Sequence, residues 1–176
     1  MSLMFSKELD ANILRNFECG IPMMDAFIHN ELASFLDNAP QYSLFVAVEE
    51  KLGIVAMFVT SPGSFVDCDG EFQDLPSGKP WGYLDDDYKF QTAVMYPTLE
   101  IDYLAVRKDL RGSGYGTEII AELSRRAMES KSYFLTVDAY HESNYSAIPF
   151  YEKLGFFALQ EYSEEHDTLR MAKRVF

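Results

Sequence analysis

Three glycines alternate directly before an amphipathic segment, and this pattern can bring free backbone N–H groups to a ligand. Gly112, Gly114 and Gly116 follow Arg111, and the apolar spacing beyond them predicts a helix over 115–129. A glycine has no Cβ, so the backbone can approach a ligand closely. The first helical turn then offers unpaired N–H groups and the positive end of the helix dipole to an anion. The pattern predicts a diphosphate site, although a glycine-rich connection without a ligand has the same spacing.

Two well-known phosphate-binding loops fit this turn poorly. The dinucleotide fingerprint G-x-G-x-x-G requires its third glycine one position after Gly116, although Asp138 lies about 20 residues further on, as that fingerprint expects. The P-loop requires a lysine after its last glycine, and the chain has none there. A nucleotide-binding oxidoreductase built on this turn stays open as an alternative, which competition between cofactors would decide.

Helical and strand-like segments alternate along the chain and would position this turn. A helix is predicted over 21–36 with Pro22 in its first turn, and Lys51-Leu52-Gly53 joins two strands of a hairpin. The predicted strands cover 43–48, 54–60, 99–106, 133–139, 156–159 and 168–173, and the other predicted helices cover 115–129 and 144–154. Alternating strands and helices, together with hairpins, predict an α/β fold with a mixed sheet.

Residues 61–96 interrupt this alternation. Prolines, glycines and acidic residues dominate them, including the run Asp85-Asp86-Asp87. A loop of this length inside a compact domain is usually functional or mobile. Its aromatic residues, among them Phe65, Phe72 and Trp81, indicate that parts of it pack down. A chain of 176 residues suits one domain, so we predict a single domain over 4–176 with an acidic insertion at about 61–96.

Charge and cysteine content narrow the classes of partner. The formal net charge of −13 and the sequence pI near 4.5 argue against nucleic acid, because such a surface repels phosphate backbones and attracts cations. Cys19 and Cys68 fit a reducing compartment, and neither has the spacing partners of a zinc site. No apolar run approaches the roughly 20 residues that span a bilayer. We expect a cytoplasmic protein with no signal peptide, metal or membrane contact.

Three segments, in the right order, resemble the GNAT superfamily of N-acetyltransferases. Arg111-Gly112-Ser113-Gly114-Tyr115-Gly116 resembles its R/Q-x-x-G-x-G/A acetyl-CoA motif. Asn144 through Phe156 resembles its N-x-x-A-x-x-F-Y-x-x-x-G-F segment at every defining position, and residues 100–106 look like the strand beside the thioester. The resemblance is close over 99–156. It implies the GNAT fold, a mixed and mostly antiparallel twisted sheet of six to seven strands, flanked by helices and splayed at the cofactor-binding strands.

The resemblance also implies an acetyltransferase that uses acetyl-CoA as co-substrate and acts on a primary amine by direct attack in a ternary complex. The backbone of Leu104, Ala105 and Val106 would bind the pantetheine arm, and one of their N–H groups would polarise the thioester carbonyl. Backbone amides of the glycine turn would bind the diphosphate. Those residues are Arg111, Gly112, Ser113, Gly114, Tyr115, Gly116 and Thr117.

The same resemblance assigns candidate catalytic groups. Tyr151 would donate a proton to the departing thiolate, since a phenol with its ordinary pKa near 10 is protonated at neutral pH; the alternative is a core aromatic. Glu100 matches the base of the histone-acetyltransferase branch, and Asp102 lies on the same face of an ideal strand. Either carboxylate could instead only bind a cationic acceptor, or be solvated. Asn144 would contact the cofactor through its amide, or cap the helix.

A fainter likeness lies near the N-terminus. Asn16-Phe17-Glu18-Cys19-Gly20, followed by Asp25-Ala26-Phe27, resembles the F-x-C-G opening of GNAT enzymes related to toxin–antitoxin systems, which acetylate aminoacyl-tRNA. The acidic balance and the acidic insertion depart from that branch and argue against tRNA. We expect a small cationic amine or a peptide amine as acceptor, and a monomer or homodimer. The alternative is a non-catalytic CoA-binding or toxin-like module controlled by a partner protein.

Overall fold

The chain forms two compact units that share two long strands. The structure is a computed structural model, which describes residues 3–67, 70, 72, 74–75, 79–84, 87, 89–142, 144–159 and 167–176. The first unit consists of Met1–Ser61 and Ile101–Leu123, and the second of Pro62–Glu100 and Ser124–Phe176. The shared strands are β3 (Gly53–Asp67) and β5 (Phe90–Val106).

The first unit packs helices on an antiparallel part of the sheet with the strand order β1-β2-β3-β5. Its other elements are β1 (Met4–Glu8), β2 (Ser43–Glu49), α1 (Pro22–Asn30), α2 (Leu32–Asn38), the first part of α3 (Tyr115–Glu129), and 3-10 helices at Ala11–Leu14 and Lys108–Leu110. Strands β1 and β2 pair antiparallel with Phe5 opposite Ala47, and β2 pairs antiparallel with β3, with Val46 opposite Met57. The β2–β3 hairpin predicted from the sequence is therefore confirmed.

The second unit continues from the shared strands in the order β3-β5-β6-β9-β8. Its other elements are β4 (Lys79–Leu84), β6 (Phe134–Glu142), β7 (Tyr145–Ser146), α4 (Ile148–Lys153), β8 (Phe157–Ala158) and β9 (Thr168–Arg174). Strand β4 pairs with β5, and β7 pairs with β6. Strands β6 and β9 run antiparallel and place Asp138 opposite Arg170.

Each unit has its own apolar core. In the first, Leu14, Leu32 and Met57 are fully buried together with Ala105, which is 3% exposed. In the second, Phe134 is fully buried and packs against Phe65, Phe72 and Tyr96 at ring-centroid distances of 5.2, 5.0 and 5.9 Å. Burying one such side chain stabilises a fold by about 1.5–3 kcal/mol.

The predicted class is confirmed, since the fold is α/β with a mixed and mostly antiparallel sheet flanked by helices. Within the described residues seven strands follow one hydrogen-bonded path, in agreement with the six to seven predicted, and β4 and β7 pair beside it. Helix α3 begins and ends at the predicted residues. Among the described residues, no helix is long and apolar enough to cross a membrane.

Two predicted helices differ from the structure. The helix predicted over 21–36 is two helices, because Glu31 leaves the helical conformation with φ −122°. The helix predicted to begin at Asn144 begins at Ile148, after the short strand β7. Pro149 explains the late start, since it lacks an N–H and clashes with the preceding turn unless it lies in the first turn of a helix.

The insertion predicted as a loop contains regular strands. Strand β3 continues to Asp67, and β4 pairs antiparallel with the beginning of β5, with Trp81 opposite Ala93. The loop interpretation of these parts was therefore wrong, because ladder partners along the chain outweighed a composition rich in proline and glycine. Cys68, Asp85 and Asp86 lie outside the described residues.

Phe134→Ala should destabilise the protein strongly, because it leaves a cavity among three aromatic rings. We expect a loss of about 3–5 kcal/mol in the free energy of unfolding, measured by urea denaturation. Phe176→Ala removes the same atoms from a side chain that is 58% exposed and serves as the matched control. Equal losses in the two variants would contradict the core assignment.

Candidate active site

The glycine turn is an exposed connection between the 3-10 helix at Lys108–Leu110 and α3. Gly112 and Gly114 have φ of +78° and +92°, in the left-handed region that favours glycine. Residues 111–114 are exposed, whereas Tyr115, the first residue of α3, is only 4% exposed and anchors the helix. The turn therefore presents its backbone to solvent while its end is fixed by packing.

The start of α3 has free backbone donors of the kind that an anion requires. The first hydrogen bond within the helix runs from the Glu118 N–H to the Gly114 carbonyl, at 3.2 Å. The Ser113 N–H is already bonded to the Leu110 carbonyl at 3.2 Å, whereas the N–H groups that precede Glu118 in the first turn of α3 have no intrahelical partner. An added Cβ on Gly112 would meet nothing within 4 Å, so the space beside the turn is open. A diphosphate fits these donors and this space, so the turn fits acetyl-CoA.

Arg107 anchors the turn to the β2–β3 hairpin. Its backbone N–H donates to the Val55 carbonyl at 2.8 Å, and its guanidinium donates to the carbonyls of Leu52 and Ile54 at 2.8 and 3.1 Å. The guanidinium also donates to both oxygens of Asp109 at 2.7 and 3.1 Å, and this bond raises the pKa of Arg107 and lowers that of Asp109. Sequence reasoning missed Arg107, since its partners on the hairpin lie more than 50 residues away.

The end of β5 leads directly into this anchored turn. Leu104, Ala105 and Val106 are its last three residues, and Ala105 points into the core of the first unit. Asp102 belongs to the same unit and accepts a hydrogen bond from the Ser61 hydroxyl at 3.1 Å. The ring of Tyr103 stacks on Phe27 with centroids 4.5 Å apart, and burial, followed by the charge of Asp102, raises the pKa of Tyr103.

In the second unit, Glu100 is engaged in an ion pair. Its Oε1 accepts a hydrogen bond from Arg170 Nη1, and its Oε2 accepts from Arg170 Nη2 at 2.7 Å and from the Thr136 hydroxyl at 3.1 Å. Arg170 also contacts Asp138 at 3.3 Å, as the β6–β9 register requires. Burial opposes the charge on Arg170, but the hydrogen bonds with Glu100 outweigh it and raise the pKa of Arg170. Both carboxylate oxygens of Glu100 are thus already in use.

Tyr151 lies on α4 as a buried residue at 6% exposure. Its ring packs edge-on against Phe150 and Phe156 at centroid distances of 5.0 and 5.1 Å. Burial, with a smaller contribution from Tyr145, raises the pKa of Tyr151 well above its usual range. Among the described residues no group hydrogen-bonds its hydroxyl. The phenol is therefore protonated at neutral pH and has its donor available.

Asn144 does not cap α4, so that part of the sequence interpretation is wrong. The N-cap position belongs to Ala147, and the Ser146 hydroxyl accepts the Ile148 N–H at 3.3 Å instead. Asn144 is exposed before β7, and its contact with the cofactor stays a prediction. Among the described residues no group of three or more His, Cys, Asp or Glu side chains is arranged to hold a metal ion.

A family model matches most of the chain. The acetyltransferase (GNAT) family model covers residues 14–156, which include the glycine turn, Glu100 and Tyr151. No curated protein matches the sequence.

Solved structures of the same fold include toxins. A bacterial toxin superimposes with a TM-score of 0.70 at 15% identity over 99% of this chain and 91% of that chain. AtaT complexed with acetyl-methionyl-tRNAfMet gives 0.64 at 18% identity over 96% and 94%. A tyrosine-to-phenylalanine variant of AtaT bound to the C-terminus of the antitoxin AtaR and acetyl-CoA gives 0.61 at 18% over 98% and 94%. These likenesses establish the fold, which is the GNAT fold that the sequence predicts.

Arg170→Met should destabilise the second unit, because it leaves the Glu100 carboxylate without its partner. Breaking a buried pair costs about 3–5 kcal/mol, and because both side chains keep some exposure, 26% and 16%, we expect about 2 kcal/mol. Adding Glu100→Gln should recover much of this loss in urea denaturation. Arg125→Met breaks an exposed pair with Glu129 and should cost less than about 0.5 kcal/mol. A loss at Arg170 no larger than this would contradict the ion-pair assignment.

Proposed function

The chain belongs to the acetyltransferase (GNAT) family, and on that premise we propose that it moves the acetyl group of acetyl-CoA to a primary amine. The observation that carries this proposal is the exposed turn at 111–114, with two left-handed glycines before the free donors of α3. When bound, acetyl-CoA supplies an acetyl group activated as a thioester. The turn would bind its diphosphate through backbone N–H groups, with added charge from Arg111.

The last residues of β5 would bind and orient the donor. Backbone N–H and carbonyl groups of Leu104, Ala105 and Val106 would pair with the pantetheine arm as with an added strand. One N–H there would donate to the carbonyl oxygen as negative charge develops on it, which is the largest single electrostatic contribution in acyl transfer. Arg107 supports this assignment, since its bonds to the hairpin fix where β5 ends.

Tyr151 would donate the proton that the leaving thiolate takes. Its raised pKa keeps the hydroxyl protonated throughout the neutral range, so the phenol has a proton to donate there. The same shift makes full transfer to a thiol of pKa near 8.5 less favourable, because each pKa unit corresponds to about 1.4 kcal/mol. Tyr151 therefore acts first as a hydrogen-bond donor to the sulfur and gives up its proton only as negative charge accumulates there.

The acceptor amine must lose a proton before it attacks, since a lysine-like ammonium has a pKa around 10.4. Glu100 can accept that proton only if Arg170 or Thr136 releases one of its oxygens. Asp102 instead accepts from a neutral hydroxyl, that of Ser61, and burial, followed by the charge of Asp102, raises the pKa of the neighbouring Tyr103 phenol. We therefore assign Asp102 to bind the ammonium and receive its proton, and Glu100 to hold the strand.

A cationic small molecule or peptide amine is the acceptor that the charge favours. The net charge of −13 attracts cations and repels phosphate backbones. AtaT, in contrast, is known in complex with a tRNA, so an aminoacyl-tRNA belongs in the acceptor panel as the opposing case. Cys19 is a free buried thiol, which agrees with a cytoplasmic location.

A second candidate is a toxin-like module controlled by a partner protein. A specific observation favours it, namely the fold shared with a toxin bound to the C-terminus of an antitoxin. Growth arrest on expression, together with acetylation of aminoacyl-tRNA and no turnover of free amines, would support this candidate. Turnover of polyamines or peptide amines, followed by the release of free thiol, would support the first.

Gly112→Ala should weaken the binding of acetyl-CoA. An L-residue in the left-handed region costs about 1–2 kcal/mol, and the turn must change shape to avoid it, so we expect about a tenfold higher Kd by calorimetry. Gly155→Ala places the same strain at φ +86°, also in open space, after α4. It should lower thermal stability and leave the Kd unchanged. An equal rise in Kd in both variants would contradict the diphosphate assignment.

Tyr151→Phe should lower kcat by about 10²–10³-fold and leave the Kd for acetyl-CoA unchanged, because only proton donation is lost. With Tyr151 intact, the rate should rise with pH as the amine deprotonates and should not fall through ionisation of this phenol below about pH 10, since its pKa is raised. Tyr140→Phe, which removes a hydroxyl bonded to Glu142, is the control and should keep full activity. An unchanged kcat in Tyr151→Phe would remove the acid assignment.

A further inference from the structure

A partly buried loop of the first unit contacts the 3-10 helix that precedes the glycine turn. This Cys19 loop, residues 17–20, connects the 3-10 helix at Ala11–Leu14 to α1. The side chains of Phe17 and Cys19 are 6% and 2% exposed in the core that includes Ala105. Burial raises the pKa of the Cys19 thiol to about 11, so it stays protonated and serves as a packing group rather than a nucleophile.

The carboxylate of Asp25 holds this loop through two charge-assisted hydrogen bonds. Its Oδ1 accepts the Cys19 N–H at 2.7 Å, and its Oδ2 accepts the Gly20 N–H at 3.0 Å. The Asp25 backbone is itself fixed, since its N–H donates to the Ile21 carbonyl in the first turn of α1. Burial opposes the charge of Asp25, but the bonds from Cys19 and Gly20 outweigh it and lower the pKa of the carboxyl. The pair of donors therefore favours the ionised carboxylate.

The Cys19 loop also contacts Lys108, which precedes the glycine turn. The Lys108 N–H donates to the Glu18 carbonyl at 2.8 Å. Gly20, at φ +82°, packs so closely on Lys108 that an added Cβ would lie 2.9 Å from the Lys108 Cγ. Lys108 is the first residue of the 3-10 helix whose end leads into residues 111–114. The chain of contacts thus runs from Asp25 through the Cys19 loop and Lys108 to the turn.

We propose that Asp25 is a positioning residue for acetyl-CoA, which acts through the Cys19 loop and Lys108 to hold the glycine turn in its diphosphate-binding shape. The inference rests on the proposed function of that turn. The carboxylate of Asp25 accepts from Cys19 and Gly20 of the loop, and the loop bonds to Lys108, so its effect should fall on the diphosphate end of the ligand. It should alter binding at the turn and leave the chemistry at the thioester unchanged.

Asp25→Asn tests the proposal because it replaces one acceptor oxygen with an amide donor that faces another N–H. In calorimetry with the full chain, we expect the Kd for acetyl-CoA to rise about tenfold, as for the loss of one hydrogen bond to a charged group. Binding of S-acetylpantetheine, which lacks the diphosphate, should not change when followed by NMR titration. The KM for acetyl-CoA should rise while kcat at saturation is kept. Asp37→Asn, an exposed aspartate on α2, is the matched control and should change none of these values.

A double-mutant cycle at Gly20 and Lys108 tests the contact between the loop and Lys108 without changing Asp25. Gly20→Ala should also raise the Kd for acetyl-CoA about tenfold, since its Cβ must displace Lys108. Lys108→Ala removes the Cγ and Cδ atoms that the new Cβ would meet. In that background only the backbone strain at φ +82° remains, so the effect of Gly20→Ala should be smaller than with Lys108 intact, which is the coupling expected of residues in contact. This cycle decides the question if Asp25→Asn fails to fold.

The outcomes separate this inference from the proposed function. Unchanged acetyl-CoA affinity in Asp25→Asn, or equal weakening of acetyl-CoA and S-acetylpantetheine, would overturn the positioning role. An effect of Gly20→Ala that is as large with Lys108→Ala as without it would do the same. A wild-type chain that does not bind acetyl-CoA would instead refute the proposed function, and this inference with it.

Discussion

The candidate site depends on where β5 stops, and Arg107 fixes that point. The Arg107 N–H is bonded to the Val55 carbonyl, and its guanidinium spans the carbonyls on either side of Gly53. Asp109 neutralises the cation from the other side. These bonds hold the backbone just before Lys108–Leu110. Gly112 and Gly114 can therefore adopt left-handed angles while the end of β5 keeps its position.

Elements whose bounds depend on nearby residues could be predicted from the sequence alone. Helix α3 was predicted to the residue, because its apolar face repeats at helical spacing and glycines precede it. Pro22 and Gly155 marked a helix start and a helix stop for similar local reasons. Composition misled over 61–96, because the pairing of β4 with β5 is set by a partner strand and not by the residues themselves.

The candidate site also contains parts that local sequence predicts and parts that depend on distant residues. The glycine turn could be predicted because a left-handed turn before a helix has a local signature. Tyr151 could be named as a candidate acid because its segment resembles a family motif, and that role stays a prediction. The ion pair of Glu100 with Arg170 could not, since 70 residues separate the partners and only the β6–β9 register brings Arg170 across from Asp138. That pair changes the interpretation of Glu100 from a free base to a carboxylate with its acceptors occupied.

The left-handed glycines at positions 20 and 112 differ in what an added side chain would meet. At Gly112 no protein atom lies within 4 Å of an added Cβ, so the constraints are the backbone angle, which asparagine tolerates better than other residues, and the diphosphate proposed to bind there. At Gly20 the angle and the contact with Lys108 act together, so even asparagine would collide. A side chain at position 112 would therefore meet only the ligand, whereas one at position 20 would meet the protein itself, so Gly20 would stay constrained even in a variant that no longer binds acetyl-CoA.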